Sequence, residues 1–188
     1  MNITISGLPC SGKSSIANYL AEKYGFKKIN AGQIFREEAE KRNLTLNELS
    51  DLCKKDFSID RALDAKIADL GKKYKGQKVI FDSRMAWNFV PQSFKIFITL
   101  DEDEMTKRLI MSDRKETEKG QTPEQARKNL MDRWTSENYR YKTLYGVCNL
   151  ERHHFDYVTS TKDKTIEEIS EEIYNEYIKF EKGSSKHE

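Results

Sequence analysis

The chain alternates between short apolar runs, which are typical of strands, and longer segments in which apolar residues recur at helical spacing. Residues 3–6 (ITIS) alternate apolar and polar side chains, and 26–30 (FKKIN) form a second candidate strand. The continuous apolar runs 78–83 (KVIFDS) and 94–100 (FKIFITL) indicate strands that are buried on both faces of a parallel sheet. Together with 157–161 (YVTST), the pattern predicts five strands.

Helical spacing is clearest directly after the first strand. Ile16, Leu20 and Tyr24 lie four positions apart and share one face, and Gly25 supplies a helix stop. Further helices are predicted at 33–42, 46–55, 59–73, 102–113, 123–145 and 165–180.

Several of these helices carry a start signal. Thr45 and Thr165 each open a Thr-x-x-Glu capping box, and Ser58 stands where an N-cap is expected. Pro123 follows Thr122 and takes the first helical position, where its missing N–H costs no hydrogen bond. These signals support the predicted helix boundaries.

Strands that alternate with helices favour a three-layer α/β/α domain with a mostly parallel sheet. The helical segments 32–75 and 102–145 are longer than a crossover needs, and such insertions cover the ligand crevice at the carboxyl ends of the strands. A chain of 188 residues corresponds to about one domain. We place that domain at 1–181 and a flexible polar tail at 182–188.

Composition and charge exclude several classes of protein. The 33 basic and 31 acidic residues nearly balance, which argues against a dedicated nucleic-acid surface. No apolar run approaches the ~20 residues of a membrane span, and no signal-peptide pattern is present. We therefore expect a cytoplasmic protein with neither a nucleic-acid nor a membrane partner. A monomer that binds small molecules is a separate expectation, which the charge and composition do not supply.

Metal-ligand spacing is absent around the cysteines and histidines. Cys10, Cys53 and Cys148 lie far apart, and the pair His153-His154 has no neighbouring ligand in the sequence. We expect reduced thiols and no zinc site.

A glycine-rich loop carries the strongest chemical signal. Residues 7–15 (GLPCSGKSS) fit the pattern G-x-x-x-x-G-K-[ST] between a predicted strand and a predicted helix. Gly7 and Gly12 let the backbone curl so that its N–H groups point at phosphate oxygens, and Lys13 supplies a positive charge for the β- and γ-phosphates. The candidate residues for binding the ATP phosphates are Gly7, Leu8, Pro9, Cys10, Ser11, Gly12, Lys13, Ser14 and Ser15.

Two oxygen ligands are candidates for Mg²⁺. Ser14 offers a hydroxyl, and Asp82 ends a neighbouring strand, where its carboxylate could hold the ion through water. The alternative for Asp82 is that it caps the turn that follows the strand.

Four arginines form a series after the loop. They are Arg36 in GQIFR, Arg84 in DSR, and Arg133 and Arg140 in DRWTSENYR. An acceptor that is itself a phosphate calls for guanidinium groups, which bind oxygens in pairs and stay charged. Arg133 and Arg140 are seven residues apart, so both are predicted to project from one face of the long helix. For each arginine a solvated surface position remains the alternative.

The order of these motifs resembles that of the nucleoside monophosphate kinases, and especially the cytidylate kinases of the short archaeal type. The similar stretches are 7–49, 57–64 (FSIDRALD), 81–84 (FDSR), 131–147 (MDRWTSENYRYKTLYGV) and 155–161 (FDYVTST). They come in the family's order and cover nearly the whole chain.

The resemblance implies a P-loop NTPase fold and transfer of the γ-phosphoryl group of ATP to CMP or dCMP with Mg²⁺. It also implies a nucleotide-binding insertion at about 32–75 and a short lid at about 112–132. By position, Arg36 and Arg84 match arginines that grip the acceptor phosphate, and Asp60 and Arg61 fall where the family contacts the nucleoside.

The remaining positions concern ATP and the transferred group. Arg133 and Arg140 match a lid-side pair that spans the donor and acceptor phosphates, and Thr161 falls in the loop that lies against adenine. Arg108 lies near the expected lid and is a candidate for the ATP phosphates, with surface charge as its alternative. The catalytic candidates are Lys13, Arg84, Arg133 and Arg140.

One departure leaves the acceptor open. The family's Asp/Glu-Gly-Arg is Asp82-Ser83-Arg84 here, and this change concerns the base of the acceptor more than the reaction. Two further alternatives remain: a P-loop kinase of a small-molecule hydroxyl, which would need a carboxylate as base, and a nucleotide-binding module without catalysis.

Overall fold

The computed structural model describes residues 1–111, 122–148 and 151–184, apart from the side chains of Leu109, Ile110, Pro123, Ala126, Arg133 and Ser184. The strands are β1 (Asn2–Gly7), β2 (Lys27–Asn30), β3 (Val79–Asp82), β4 (Ser93–Thr99) and β5 (Tyr157–Ser160). The helices are α1 (Lys13–Tyr24), α2 (Ala31–Lys41), α3 (Leu46–Lys55), α4 (Ser58–Lys73), α5 (Ala86–Phe89), α6 (Glu102–Met111), α7 (Pro123–Tyr145) and α8 (Ile166–Ser184), with a 3₁₀ turn at Arg152–His154.

The five strands form one sheet in the order β2-β3-β1-β4-β5, and every pairing is parallel. Ile5 of β1 lies opposite Asp82 of β3 and Ile96 of β4. The end of β1, where the glycine-rich loop begins, therefore lies beside the end of β3. This register brings the loop and Asp82 to the same edge of the sheet, as the predicted α/β architecture requires.

Apolar clusters lie on both faces of the sheet. One contains Ile16 and Leu20 of α1 with Ile169 and Ile173 of α8, against the inner strands. The other packs α4 and α5 against β3 through residues that include Ile67, Val79, Phe81, Ala86 and Val90. The sheet is thus the middle layer of three, which confirms the predicted fold class.

Helices α2, α3 and α4 share a small core of their own. Ala39, Leu49, Cys53 and Ile59 are all buried there, with Leu63 packed alongside. This cluster holds α2 and α4 as two walls next to the ends of the strands.

Most predicted elements are confirmed, including the capping boxes at Thr45 and Thr165. Ser58 was predicted as an N-cap but is the first residue of α4, and its backbone N–H donates to Asp56 Oδ1 at 2.9 Å. Helix α8 continues to Ser184, so the predicted tail is helical over 182–184, and 185–188 lies outside the described residues.

Gly7 ends β1 at a very close approach of two backbones. Its φ is +147°, and a Cβ atom there would lie 2.3 Å from the carbonyl oxygen of Ile98. The next residue, Leu8, donates its backbone N–H to that same oxygen at 3.1 Å. Only a residue without a side chain fits between the loop and β4.

Replacing Gly7 with alanine is expected to lower the free energy of unfolding by about 3 kcal/mol or more, because a methyl group would collide with backbone. The matched control is Gly25→Ala, where φ is +72° but nothing lies within 4 Å of the added methyl. That variant loses about 1 kcal/mol from backbone strain alone. Urea unfolding followed by circular dichroism measures both, and equal losses would contradict the close-approach explanation.

Candidate active site

The two predicted Mg²⁺ ligands are in direct contact. Ser14, in the first turn of α1, donates its hydroxyl to Asp82 Oδ2 at 2.6 Å, and Asp82 ends the neighbouring strand β3. The alternative role for Asp82, capping the next turn, falls to Ser83, whose Oγ accepts from the backbone N–H of Met85 at 3.3 Å. A hydroxyl and a carboxylate are the oxygen ligands that Mg²⁺ prefers, so this pair fits the ion.

Lys13 lies at the start of α1 and faces the same space. Its ammonium donates to the carbonyl oxygen of Leu8 at 3.1 Å, across the loop, and the side chain borders the cleft described below. Gly12 precedes it in the left-handed conformation, with φ +84°. The loop therefore presents a cation beside a helix N-terminus, which favours bound phosphate.

Arg108 and Thr161 meet the glycine-rich loop. The Arg108 guanidinium donates to Thr161 Oγ1 at 2.8 Å and to the Thr161 carbonyl oxygen at 2.9 Å. Thr161 is almost fully buried, and its hydroxyl donates to the carbonyl oxygen of Ser11 at 3.1 Å. Two residues that sequence reasoning assigned to ATP, one from α6 and one after β5, thus reach the loop.

A cleft of about 660 Å³ opens beside the loop, between α2, α4, α7 and the end of β3. That volume is in the range of roughly 300–1,000 Å³ seen for small-molecule sites. Its apolar walls come from α2, α4 and α7 and from Leu46. Its charged lining residues are Lys13, Arg36, Asp60, Asp64, Asp82, Arg84, Glu137 and Arg140.

Arg36 and Arg84 both border the cleft, as the arginine series predicted. Arg36 is exposed on α2 and its Nε donates to Gln33 Oε1 at 3.1 Å. Arg84 follows β3, is half-buried, and forms an ion pair with Glu137 of α7. One guanidinium faces solvent at the rim, and the other already holds an anionic group.

Arg140 lies deeper in the protein than expected. Its side chain is 2% exposed, its Nε donates to Asp60 Oδ2 at 2.7 Å, and its Nη1 donates to Ser136 Oγ at 2.7 Å. Burial raises the pKa of the Asp60 carboxyl, and the neighbouring guanidinium opposes that rise. This buried ion pair joins α7 to α4 at the side of the cleft.

One predicted residue, Arg61, does not line the cleft. Arg61 is exposed on α4, because consecutive helical residues point about 100° apart and its neighbour Asp60 faces inward. Arg133 lies in α7, but its side chain is outside the description. The lid expected at 112–132 is described only from residue 122 onward.

Sequence reasoning missed several cleft residues: Asp64, Glu137 and Tyr141, together with Tyr145 behind them. The Tyr145 hydroxyl donates to Asp64 Oδ2 at 2.8 Å, and burial raises the pKa of Asp64 to about 7. A helical signal could have found Asp64, since it lies four residues after Asp60 and so on the same face of α4.

The raised pKa of Asp64 predicts how stability depends on pH. A carboxyl whose pKa is higher in the folded than in the unfolded protein favours folding below about pH 4, and this contribution is lost as the pH rises through about 7. Asp64→Asn, which keeps an acceptor for Tyr145, is therefore expected to gain about 2–4 kcal/mol relative to the natural protein between pH 4 and pH 8. Urea unfolding at both pH values measures the gain, and Asp69→Asn, an exposed carboxyl on the same helix, should show none.

The two histidines do have a neighbouring ligand, contrary to expectation. Glu151 Oε2 lies 3.1 Å from His154 Nε2 and 3.7 Å from His153 Nε2. The three side chains could hold a metal ion, although they are not part of the cleft. His154 stacks on Trp87 with ring centroids 4.3 Å apart, and Trp87 is buried, as a packing residue would be.

None of the described helices combines the length and the apolar character that crossing a membrane requires.

Known proteins resemble this chain over most of its length. Residues 3–141 match the family described as AAA domain. The chain is 32% identical over 174 residues to the cytidylate kinase of Methanocella arvoryzae, and the aligned region covers 93% of this chain and 95% of that protein. It is 33% identical over 170 residues to the cytidylate kinase of Methanopyrus kandleri, covering 85% and 83% respectively.

A solved structure supports the fold. Shikimate kinase from Bacteroides thetaiotaomicron superposes with a TM-score of 0.62 over 93% of this chain and 97% of that one. The identity is 14%, so this likeness concerns the fold alone. The resemblance seen in the sequence and the predicted three-layer architecture are both confirmed.

Proposed function

This chain belongs to the P-loop kinases, in the family of the archaeal cytidylate kinases, and on that premise we propose that it transfers the γ-phosphoryl group of ATP to CMP or dCMP. The products are ADP and CDP or dCDP. The observation that carries the proposal is a single cleft where the glycine-rich loop, the Ser14–Asp82 pair and Arg36, Arg84 and Arg140 line a common space. The proposed enzyme works on free nucleotides in the cytoplasm as a monomer.

On the donor side, the loop and α1 bind the phosphates of ATP. Backbone N–H groups and Lys13 offset the negative charge of the β- and γ-phosphates. Arg108 and Thr161, which are bonded to each other beside Ser11, line the far side of the loop. Ser14 and Asp82 would hold Mg²⁺, which when bound neutralises charge on the transferred group.

On the acceptor side, arginines grip a phosphate. Arg36 at the rim and Arg84 next to Asp82 lie on two sides of the cleft, so an acceptor phosphate between them meets two permanent positive charges. No general base is needed, because the attacking phosphate oxygen is already an anion. Positioning and electrostatic stabilisation then supply the rate acceleration.

The helices around the cleft fit the insertion and lid that the sequence suggested. We assign nucleotide binding to the segment 32–75, because α2 and α4 form two walls of the cleft and share their own apolar core. The segment 112–132 is proposed as the lid. Leu130, at its end, lies in the cleft wall.

A coupled assay of ADP formation tests the proposed function. We expect turnover with CMP and dCMP, and slower turnover with UMP, AMP and GMP. Phosphorus NMR of the product separates a phosphoanhydride from the phosphate ester that a kinase of a small-molecule hydroxyl would make. An ester product, or ATP binding without any acceptor-dependent ADP formation, would overturn the proposal.

A further inference from the structure

The wall of the cleft formed by α4 and α7 carries two carboxyl groups in different situations. Asp60 and Asp64 are one helical turn apart and both line the cleft. Asp60 Oδ2 accepts from the buried Arg140 guanidinium at 2.7 Å, so this carboxylate is committed to an ion pair. Arg61, the residue between them that the sequence had suggested for the nucleoside, is exposed and lies outside the cleft lining.

Asp64, unlike Asp60, accepts its hydrogen bond from an uncharged group. Tyr145 donates its hydroxyl to Asp64 Oδ2 at 2.8 Å and so orients the carboxyl group from the side away from the cleft. This is the hydrogen bond that Asp64 accepts from the part of the chain that the structure describes. Leu63 and Ile67 flank it on α4 and line the same cleft. An oxygen of Asp64 is therefore available to a ligand in a partly apolar setting.

We propose that Asp64 determines the base of the acceptor nucleotide, by accepting a hydrogen bond from an exocyclic amino group such as that of cytosine. This inference rests on the proposed function. It assigns base discrimination to a residue for which sequence reasoning found no role, and it gives Asp60 a positioning role through Arg140.

The hydrogen-bonding groups on the edge of the base explain why a carboxylate would favour cytosine over uracil. Cytosine presents an amino donor at the position where uracil presents a carbonyl acceptor. An ionised carboxyl group only accepts hydrogen bonds, so it pairs with the amino group and opposes the carbonyl oxygen. In a site shielded from water such a mismatch costs about 10- to 100-fold in kcat/KM.

Protonation should reverse part of this preference. Burial raises the pKa of Asp64 to about 7, with Tyr145 and Arg140 lowering it and Asp60 raising it further. Tyr141, which also lines the cleft, has a raised pKa and stays neutral. The neutral carboxyl group can donate to the uracil carbonyl, so selectivity for CMP over UMP is expected to rise as the pH rises.

The experiment is the ratio of kcat/KM for CMP to that for UMP between pH 6 and pH 8.5. The two substrates share the same phosphate titration and the same ATP, so those contributions cancel in the ratio. We expect about a tenfold rise, with an inflection near pH 7, because kcat/KM reports groups of the free enzyme. In Asp64→Asn the ratio should be independent of pH.

Two further variants complete the design. Tyr145→Phe removes a hydrogen bond that lowers the pKa of Asp64, so the inflection should move to higher pH. Asp69→Asn changes an exposed carboxyl on the same helix, paired with Lys72, and should leave the curve unchanged.

Each outcome decides the inference. A flat ratio in the natural protein, or an inflection that persists in Asp64→Asn, overturns it while the proposed function stands, because both nucleotides are still phosphorylated. If neither CMP nor UMP is a substrate, the proposed function fails and the inference with it. If Asp64→Asn does not fold, as judged by circular dichroism, Tyr145→Phe decides alone, and an unmoved inflection overturns the inference.

Discussion

Replacing Arg84 with alanine is expected to lower kcat/KM for the acceptor by about a thousandfold, the largest functional loss that the structure predicts. Arg84 borders the cleft two residues after Asp82, so its guanidinium lies in the same cleft as Ser14 and Asp82, the proposed Mg²⁺ ligands, and as the space proposed for the acceptor. Arginines that stabilise the charge of a transferred phosphoryl group are worth about 10³–10⁵ in kcat. The measurement is steady-state kinetics with saturating ATP.

The controls separate this role from a general loss of charge. Arg84→Lys keeps one positive charge but loses the planar fork, and we expect it to recover only part of the rate. Arg42→Ala removes an exposed arginine that follows the last residue of α2, pairs with Glu38 at 2.6 Å and does not line the cleft, and its kinetics should match those of the natural protein. ATP binding by calorimetry should be unchanged in all three. Equal activity of Arg84→Ala and Arg42→Ala would remove Arg84 from the acceptor site.

Replacing Asp60 with asparagine is expected to lower the free energy of unfolding by about 3–5 kcal/mol. The Arg140 guanidinium is almost fully buried, and without the carboxylate it becomes a buried charge without its counter-ion. A small domain is stable by only about 5–15 kcal/mol, so this is a large fraction of the total. Urea unfolding with circular dichroism measures the loss.

A double variant tests whether the buried pair is needed for stability or for the cleft. Asp60→Leu with Arg140→Met replaces both charges with apolar groups of similar volume, and such replacements are often neutral or stabilising. We expect stability to return to near that of the natural protein while the rate with the acceptor stays low, because Arg140 borders the cleft. A double variant as unstable as Asp60→Asn would show that the cost lies in packing and not in unpaired charge.

Local signals in the sequence predicted the elements of the fold well. The glycine-rich loop is a contiguous motif whose spacing alone demands a strand before it and a helix after it, and β1 and α1 follow that pattern. Capping residues such as Thr45 act within one turn, so their effect can be read directly from neighbouring residues. Helix α5 escaped prediction because four residues are too few to show helical spacing.

Contacts between residues that are far apart in the sequence could not be predicted from these local signals. Asp60 and Arg140 are 80 residues apart in the chain, and Asp64 and Tyr145 are 81 apart. The family resemblance of the sequence placed Asp60 at the nucleoside and Arg140 at the phosphates. Packing of α7 against the other walls of the cleft is what joins them, and helical periodicity does not contain that information.

The ion pair between Arg84 and Glu137 has a consequence for turnover. In the proposed reaction, an acceptor phosphate that reaches Arg84 would displace a carboxylate of the protein and not water alone. The cost of separating Glu137 from Arg84 would offset part of the attraction between phosphate and guanidinium. The affinity for acceptor and for product would therefore both be lower. In the proposed reaction, Glu137 would return to Arg84 when the diphosphate product leaves, so the guanidinium would again be paired. The cleft carries its own exchangeable counter-ion, and this favours rapid release over tight binding.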